Sequence, residues 1–353
     1  MNSTFRFETG RAKDVKAATR LLAQEYYGQE VADERYLNWE YLENPFGRAI
    51  VTIAKDPEAN LAAQYAIIPV EVVLNGKVIH ASLSLNTITA KSFRGKGLFA
   101  KSAEENYRQC TNEEIFFTIG VPNKKSFPGF INTLGFKHPG NLLFLMKPLK
   151  PLRMVNAFVK SRSDKKGDQI KLTIDPGSLK EKSFSFFQPG EDGKMYDNFW
   201  NGLKTKNKIC LNRTSEYISW RYFKNPLRKY DVIKLVEHGK IIGFITIRSM
   251  IVFGMKACVV MDLLFEDELS GKKSLGLVTD IAMKNKLDVI MSVAANKNTG
   301  LTAYRSAGFF RVPAFILPQQ LPFITRIHKE FDQSRLLSDM NNWHFSFGDY
   351  DIF

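Results

Sequence analysis

The stretch YLNWEYLENP at 36–45 returns at 217–226 as YISWRYFKNP. Five of the ten positions are identical: Tyr36 and Tyr217, Trp39 and Trp220, Tyr41 and Tyr222, Asn44 and Asn225, Pro45 and Pro226. A true duplication repeats order as well as wording, and the surroundings keep that order. After each copy come two apolar runs joined by a turn, AIVTIAKD then LAAQYAI in the first half, VIKLVEHGK then IIGFITIR in the second. A further strand-like run, a helical stretch and one more apolar strand follow. Each last strand leads into a second shared phrase, VPNKKSFPGFINTLGF at 121–136 and AANKNTGLTAYRSAGFF at 294–310. Asn123 to Gly135 spans twelve positions, as does Asn296 to Gly308, and Ser126 and Thr299 both stand three after the Asn. The chain therefore reads as two copies of one domain, 1–148 and 185–353, joined by a linker region at 149–184.

A length of 353 residues with 44% hydrophobic content gives each copy enough apolar surface for its own core. The start MNSTFRFETGRAKD has no apolar h-region, so no secretory signal is expected. The run IIGFITIRSMIVFGMKACVVMDLLF contains Arg248, Lys256 and Asp262 and breaks at Gly254, which suits a hairpin rather than a membrane span. Cys110, Cys210 and Cys258 lack metal or redox spacing and fit buried thiols in a reducing cytoplasm. The 50 Lys and Arg against 36 Asp and Glu leave +14, which favours anionic partners. From Lys147 to Lys182, ten basic residues face four acids. That segment reads as a solvated basic connector, with membrane-surface or nucleic-acid contact as the alternative.

In the first copy a strand is expected near Thr4 to Phe7 and a one-faced apolar helix over 13–26. The Tyr-Trp-Tyr phrase should form a short helix that packs its aromatics on a sheet and ends at Asn44-Pro45. Asn75-Gly76 marks a tight hairpin. At 85–110, LNTITAKSFRGKGLFAKSAEENYRQC, an apolar strand gives way to a basic glycine turn and then a helix. Pyrophosphate needs such an arrangement: Gly95 and Gly97 let the backbone turn sharply, the first-turn N–H groups of the helix meet phosphate oxygens, and Arg94 and Lys96 add charge.

The order of strand, Arg94-Gly95-Lys96-Gly97, helix, strand ending at Val121-Pro122-Asn123, helix and Leu134-Gly135-Phe136 resembles the GNAT superfamily of acyl-CoA N-acyltransferases. The resemblance covers 1–148 and, in weaker form, 185–318. It implies an α/β (α+β) fold of two tandem GNAT-like domains, each a mixed, mostly antiparallel splayed sheet flanked by helices. It implies that Arg94, Gly95, Lys96, Gly97, Leu98 and Phe99 bind the CoA pyrophosphate and that Thr87, Ile88 and Thr89 pair with the pantetheine arm. Asn123 and Ser126 would lie beside the thioester, and acetyl-CoA would be the co-substrate.

The second copy departs from this pattern. Its counterpart of the loop, DELSGKKSLGLVTDIAMKNK, has Gly271 and Gly276 but no R-G-x-G turn, so CoA binding is expected only in the first copy. Conversely, the tyrosine that GNAT enzymes often place four residues before Gly-Phe occurs as Tyr304 in the second copy, while the first has Ile131 beside Phe130. The catalytic candidates are Asn86 as a water-positioner, Ser126 as a polar contact at the thioester and Tyr304 as an acid. His80, Glu40 and Glu43 are further candidates for a base. The tail NWHFSFGDYDIF is similar to the ends of tandem GNAT-like proteins associated with bacterial surface-polysaccharide synthesis, which implies an amino-sugar acceptor. Read from its residues alone, it is a last strand with Trp343, Phe345 and Phe347 inside, with Asp349 and Asp351 holding a substrate amine or capping the chain.

Taken together, these readings lead to a cytoplasmic acetyl-CoA-dependent N-acetyltransferase. Its acceptor would be a small anionic amine, an amino sugar or nucleotide-linked amino sugar. Neither a metal nor DNA is expected as a partner. Two alternatives stand beside this: an enzyme like the aminoacyl-tRNA-dependent peptidyl transferases, and a non-catalytic GNAT-like binding module.

Overall fold

The computed structural model describes residues 4–151, 168–295, 300–317 and 319–350. Asn296 and Thr299 of the repeat, Asp351 of the tail and the middle of the basic linker lie outside the described residues. The chain forms two compact units. The first comprises Met1–Asn141, Lys224–Leu227 and Leu321–Asp339; the second comprises Leu142–Phe223, Arg228–Gln320 and Met340–Phe353.

The first unit begins with β1 (Arg6–Arg11), α1 (Lys16–Tyr26) and α2 (Glu34–Leu42), the helix of the Tyr-Trp-Tyr phrase. Tyr36, Trp39 and Tyr41 are all buried in it, and Asn44 ends it by accepting the N–H of Phe46 through its Oδ1 at 3.0 Å. The strands β2 (Ile50–Lys55), β3 (Leu61–Leu74) and β4 (Lys77–Thr89) form an antiparallel meander. Asn75 (φ 46°) and Gly76 (φ 82°) make the tight turn between the last two, as their sequence requires. β3 is buried along most of its length because helices cover both faces of the sheet. α3 (Leu98–Asn112), β5 (Phe117–Gly120), α4 (Phe127–Asn132) and β6 (Lys137–Asn141) complete the copy. The sheet order is β1-β2-β3-β4-β5-β15-β6, where β15 (Pro322–Ile327) comes from the far end of the chain.

The second unit repeats this plan. β7 (Leu143–Pro148), α5 (Pro176–Lys180), β8 (Phe184–Phe186), α6 (Pro189–Lys204), β9 (Ile209–Leu211) and α7 (Ser215–Ile218) lead in. α7 runs on as a wider helical turn over Ser219–Phe223, which buries Trp220 and Tyr222. Asn225 accepts from Leu227 N at 3.1 Å, the same exit device as Asn44. β10 (Asp231–Glu237), β11 (Lys240–Val252), β12 (Met255–Phe265), α8 (Glu268–Lys284), β13 (Val289–Ala294), α9 (Leu301–Ser306), β14 (Phe310–Arg311) and β16 (Trp343–His344) follow, with β15 between the last two in the chain. The order in this sheet is β14-β7-β13-β12-β11-β10-β8. The expected hairpin with its break at Gly254 is β11 and β12. Each unit is thus a mixed, mostly antiparallel sheet flanked by helices.

The compact units do not coincide with halves of the sequence. β7 pairs antiparallel with β13 in the second unit, and β15 pairs antiparallel with β5 in the first. β5 and β13 occupy the same place in the repeat, so the two copies exchange the second strand after their Leu-Gly-Phe or Ala-Gly-Phe phrase, β7 for β15. The end of the basic region also differs from a solvated connector. Gln169 bridges to Met250, and Leu172 and Leu179 enter the core of the second unit.

Candidate active site

Along each of the two strand orders given above one pair is parallel, β4 with β5 and β12 with β13. β4 pairs with β5 only at Ala81–Leu83, opposite Phe117–Ile119. Beyond that point β4 runs on to Thr89, so the strands open where their pairing stops. Within this open stretch β4 carries a bulge: Ala66 faces Leu85 and Gln64 faces Ile88, which leaves Asn86 and Thr87 as the extra length opposite Tyr65. Bulges re-aim side chains and backbone groups. Asn86 takes a φ of 49°, a left-handed conformation uncommon for a residue other than glycine. Its Nδ2 donates to Glu40 Oε2 at 2.7 Å, and its carbonyl accepts from Gln64 Nε2 at 3.0 Å. Gln64 Nε2 also reaches the Tyr41 hydroxyl at 3.1 Å, and burial pushes the Tyr41 phenol well above its ordinary value. Thr87 Oγ1 is buried without a hydrogen-bond partner among the described residues, as expected of an atom that a ligand satisfies.

Past Thr89 the chain forms a short turn and reaches Arg94-Gly95-Lys96-Gly97. Gly95 (φ 78°) and Gly97 (φ 73°) both need the left-handed region, and a Cβ at either would meet nothing within 4 Å. Gly97 is the N-cap of α3, which has no side-chain cap, so its first-turn N–H groups face an open, exposed turn. Arg94 pairs with Glu25 and donates from Nε to Thr89 O at 3.3 Å. Lys96 Nζ stands over the rings of Phe93 and Phe5, at 5.2 and 5.7 Å. Leu98 and Phe99 turn their side chains into the core: Phe99 packs on Phe130 at 5.4 Å and on Tyr65 at 6.4 Å between ring centroids. They can therefore serve a ligand only through the backbone. A strand opened beside a bulge, an orphaned hydroxyl and an uncapped glycine turn fit the pantetheine and pyrophosphate parts of CoA.

The second unit treats the corresponding place differently. α8 begins at the N-cap Asp267, whose Oδ1 accepts Ser270 N at 2.8 Å in a complete capping box. Those hydrogen bonds hold the Asp267 carboxyl below its usual value. A carboxylate thus occupies the helix end where the first unit leaves bare N–H groups. A Cβ at Gly271 would stand 2.9 Å from the Phe265 ring, so this glycine serves close packing, and Gly276 lies inside the helix.

The remaining expected residues spread out. Asn123 is exposed and its Oδ1 accepts Lys125 N (2.9 Å) and Ser126 N (3.0 Å), while Ser126 Oγ turns back to Asn123. These two side chains shape the entry to α4. Tyr304 belongs to the second unit, where its hydroxyl meets Ser292 Oγ at 2.9 Å and burial raises its pKa. It lines a cavity of about 180 Å³ with Leu263, Val293 and His344. Of the base candidates, His80 and Glu43 are exposed, and Glu40 and Asn86 come together. Asp349 is buried and paired with Arg213, so it closes the tail onto the second unit along with Trp343, Phe345 and Phe347. That tail adds only the two-residue β16 beside β9 and not a full strand, because a short helical turn over Phe347–Asp349 follows it.

One network escaped the sequence reading. Ser84, just before the bulge, donates to the Tyr65 hydroxyl at 2.9 Å, and Tyr65 meets the Tyr107 hydroxyl at 2.6 Å. Its one sequence trace is a tyrosine inside the apolar run LAAQYAII.

This geometry resembles that of acyltransferase domains of the GNAT type. Residues 6–138 match the family model described as "Acetyltransferase (GNAT) domain". Solved structures share the fold over most of the chain. One is an N-myristoyltransferase of Saccharomyces cerevisiae with bound myristoyl-CoA, at 13% identity and a TM-score of 0.60, covering 94% of this chain and 84% of that one. A GCN5-related N-acetyltransferase of Anabaena variabilis gives 12% identity and 0.61, covering 92% and 73%. A protein of unknown function from Enterococcus faecalis, described as a probable N-acyltransferase, gives 11% and 0.61, covering 93% and 73%. No curated protein matches the sequence. Over residues 6–138 the first unit is therefore similar to a GNAT acetyltransferase domain, and acyl-CoA-dependent N-acyl transfer is the chemistry that this match supports.

Proposed function

We propose that the protein is an acetyl-CoA-dependent N-acetyltransferase of the cytoplasm that acts on an amino sugar, above all one linked to a nucleotide, for surface-polysaccharide synthesis. The observation that carries the CoA assignment is the open, uncapped glycine turn at 94–97 beside the bulged end of β4, set against the Asp267-capped helix of the second unit. In this reading the N–H groups of Leu98, Phe99 and Ala100 take pyrophosphate oxygens and the free edge of β4 from Ser84 to Thr89 takes the pantetheine amides. Backbone N–H groups at the bulge stabilise the oxyanion as the amine attacks. CoA thiolate is a fairly good leaving group, so a tyrosine acid on α4 is dispensable, and Ile131 can stand at that position, packed against the core.

The acceptor assignment rests on charge and on the resemblance of the tail. A protein of +14 attracts anionic ligands, and a nucleotide-linked amino sugar offers both a diphosphate and an amine. The test is thiol release from acetyl-CoA with UDP- and dTDP-linked amino sugars, free amino sugars, polyamines, lysine peptides and aminoacyl-tRNA, at low and high salt. Nucleotide-linked amines should give the highest kcat/KM, with an advantage that shrinks as salt screens charge over a Debye length of roughly 8 Å. Faster turnover on peptides or polyamines would remove the sugar reading and leave acyl transfer standing.

A further inference from the structure

In the first unit, buried polar groups converge on one residue of β4. Among the described residues of this unit Glu40 is the one buried carboxylate, with 2% of its surface exposed. Burying an ionised carboxylate is costly, and so is a left-handed residue inside a strand. Both costs meet at Asn86, which α2 holds through Glu40 at 2.7 Å and β3 holds through Gln64 at 3.0 Å. Because an ionised carboxylate only accepts hydrogen bonds, Asn86 must present its nitrogen to Glu40. Among the described residues its Oδ1 is left as an acceptor on the half-buried side chain, at the stretch where β4 has left β5. The repeat supplies a contrast: the position aligned with Glu40 is Arg221, whose Nε donates to Gly348 O at 2.8 Å. The charge at this point of the aromatic helix is inverted between copies, so only the first can favour a cation there.

We propose that Asn86 and Glu40 form the subsite for the attacking amine, resting on the reading of the first unit as the place of acyl transfer. Asn86 Oδ1 accepts a hydrogen bond from the amine N–H. Glu40 is the positioning residue: it fixes the amide and sets a negative charge behind it. As the nitrogen lone pair forms the C–N bond, the C–S bond breaks and its electron pair leaves on sulphur. The nitrogen becomes cationic until it releases its extra proton to water, and the Glu40 charge stabilises that cation. The ligand class is therefore an amine that carries at least one N–H.

The experiment uses the full chain. Glu40→Gln keeps an acceptor oxygen for Asn86 and removes the charge; Asn86→Gly tolerates the positive φ and removes the amide. Each should lower kcat/KM for the best amine at least tenfold, and in Glu40→Gln, which leaves the backbone of β4 unaltered, the calorimetric Kd for CoA should stay within twofold. A purely structural role would move both quantities in Glu40→Gln, and that result would overturn the subsite. Full amine transfer in both variants would also overturn it. A wild-type protein that binds CoA but acylates no amine would instead overturn the reading beneath it.

Discussion

Replacing Gly97 by aspartate puts a carboxylate at the N-cap of α3, where the first unit is inferred to hold pyrophosphate. The backbone there has a φ of 73°, and a Cβ would meet nothing within 4 Å, so no clash opposes the change. Asp and Asn are the side chains that best tolerate the left-handed region, so each should cost the fold only about 1 kcal/mol. The charge is the decisive difference. Two unit charges about 4 Å apart repel by ~1 kcal/mol in bulk water and ~4 kcal/mol near a protein surface. The turn is exposed, which favours the lower figure, but pyrophosphate carries more than one charge. A loss of at least tenfold in CoA affinity, about 1.4 kcal/mol, follows. Calorimetric titration of CoA into wild type, Gly97→Asn, Gly97→Asp and Gly276→Asp checks it. Gly97→Asn should bind much more tightly than Gly97→Asp, and Gly276→Asp should match wild type. Wild-type affinity in a folded Gly97→Asp protein would refute the phosphate-loop assignment, and equal losses in the Asn and Asp variants would refute its electrostatic basis.

Gly348→Ala should lower stability by about 3 kcal/mol, because its Cβ would stand 2.0 Å from the Tyr222 hydroxyl and 2.6 Å from Asp262 Oδ2; an unchanged denaturation midpoint would contradict that packing. His328 is bonded to Thr118 Oγ1 at 2.7 Å, and burial, with Arg326 nearby, pushes its pKa down to about 3. A depressed histidine keeps its full stability above its ordinary pKa and loses it as pH falls, because only the unfolded chain takes the proton. Relative to His328→Gln, wild type should therefore lose up to about 1.4 kcal/mol per pH unit between about pH 6.5 and 4 in chemical denaturation, and parallel curves would sink this. Tyr65→Phe strips a partner from both Ser84 and Tyr107 and should destabilise by roughly 1–2 kcal/mol, as read by urea unfolding; a neutral change would mean that the network is slack.

Much of the fold was readable because duplication gave each motif a second witness. The Asn-Pro ends of the aromatic helices, the Asn75-Gly76 turn and the break at Gly254 all act over a few residues, so local chemistry specifies them. The glycine turn at 94–97 is likewise a backbone statement that sequence carries well. Strand exchange was not readable, because β7 and β15 look like ordinary apolar strands and nothing in LLFLM or PFITRI names a partner. Nor did the sequence reveal the bulge at Asn86, since LSLNTIT alternates plausibly without one and its irregularity depends on Gln64 and Glu40 from other elements. The Ser84–Tyr65–Tyr107 chain is hidden for the same reason: its members stand 19 and 42 positions apart. Ser126 and Asn123 looked chemical by type, yet their side chains are engaged in one local turn.

The most direct test of the account is the pattern of amide hydrogen exchange when CoA is added to the full chain. Protection should appear at Gly95 to Lys101 and at Thr87 to Thr89, and the Asp267 to Gly271 amides should exchange as they do without ligand. Protection confined to the start of α8, with none at the glycine turn, would place CoA in the other copy of the repeat and contradict the account.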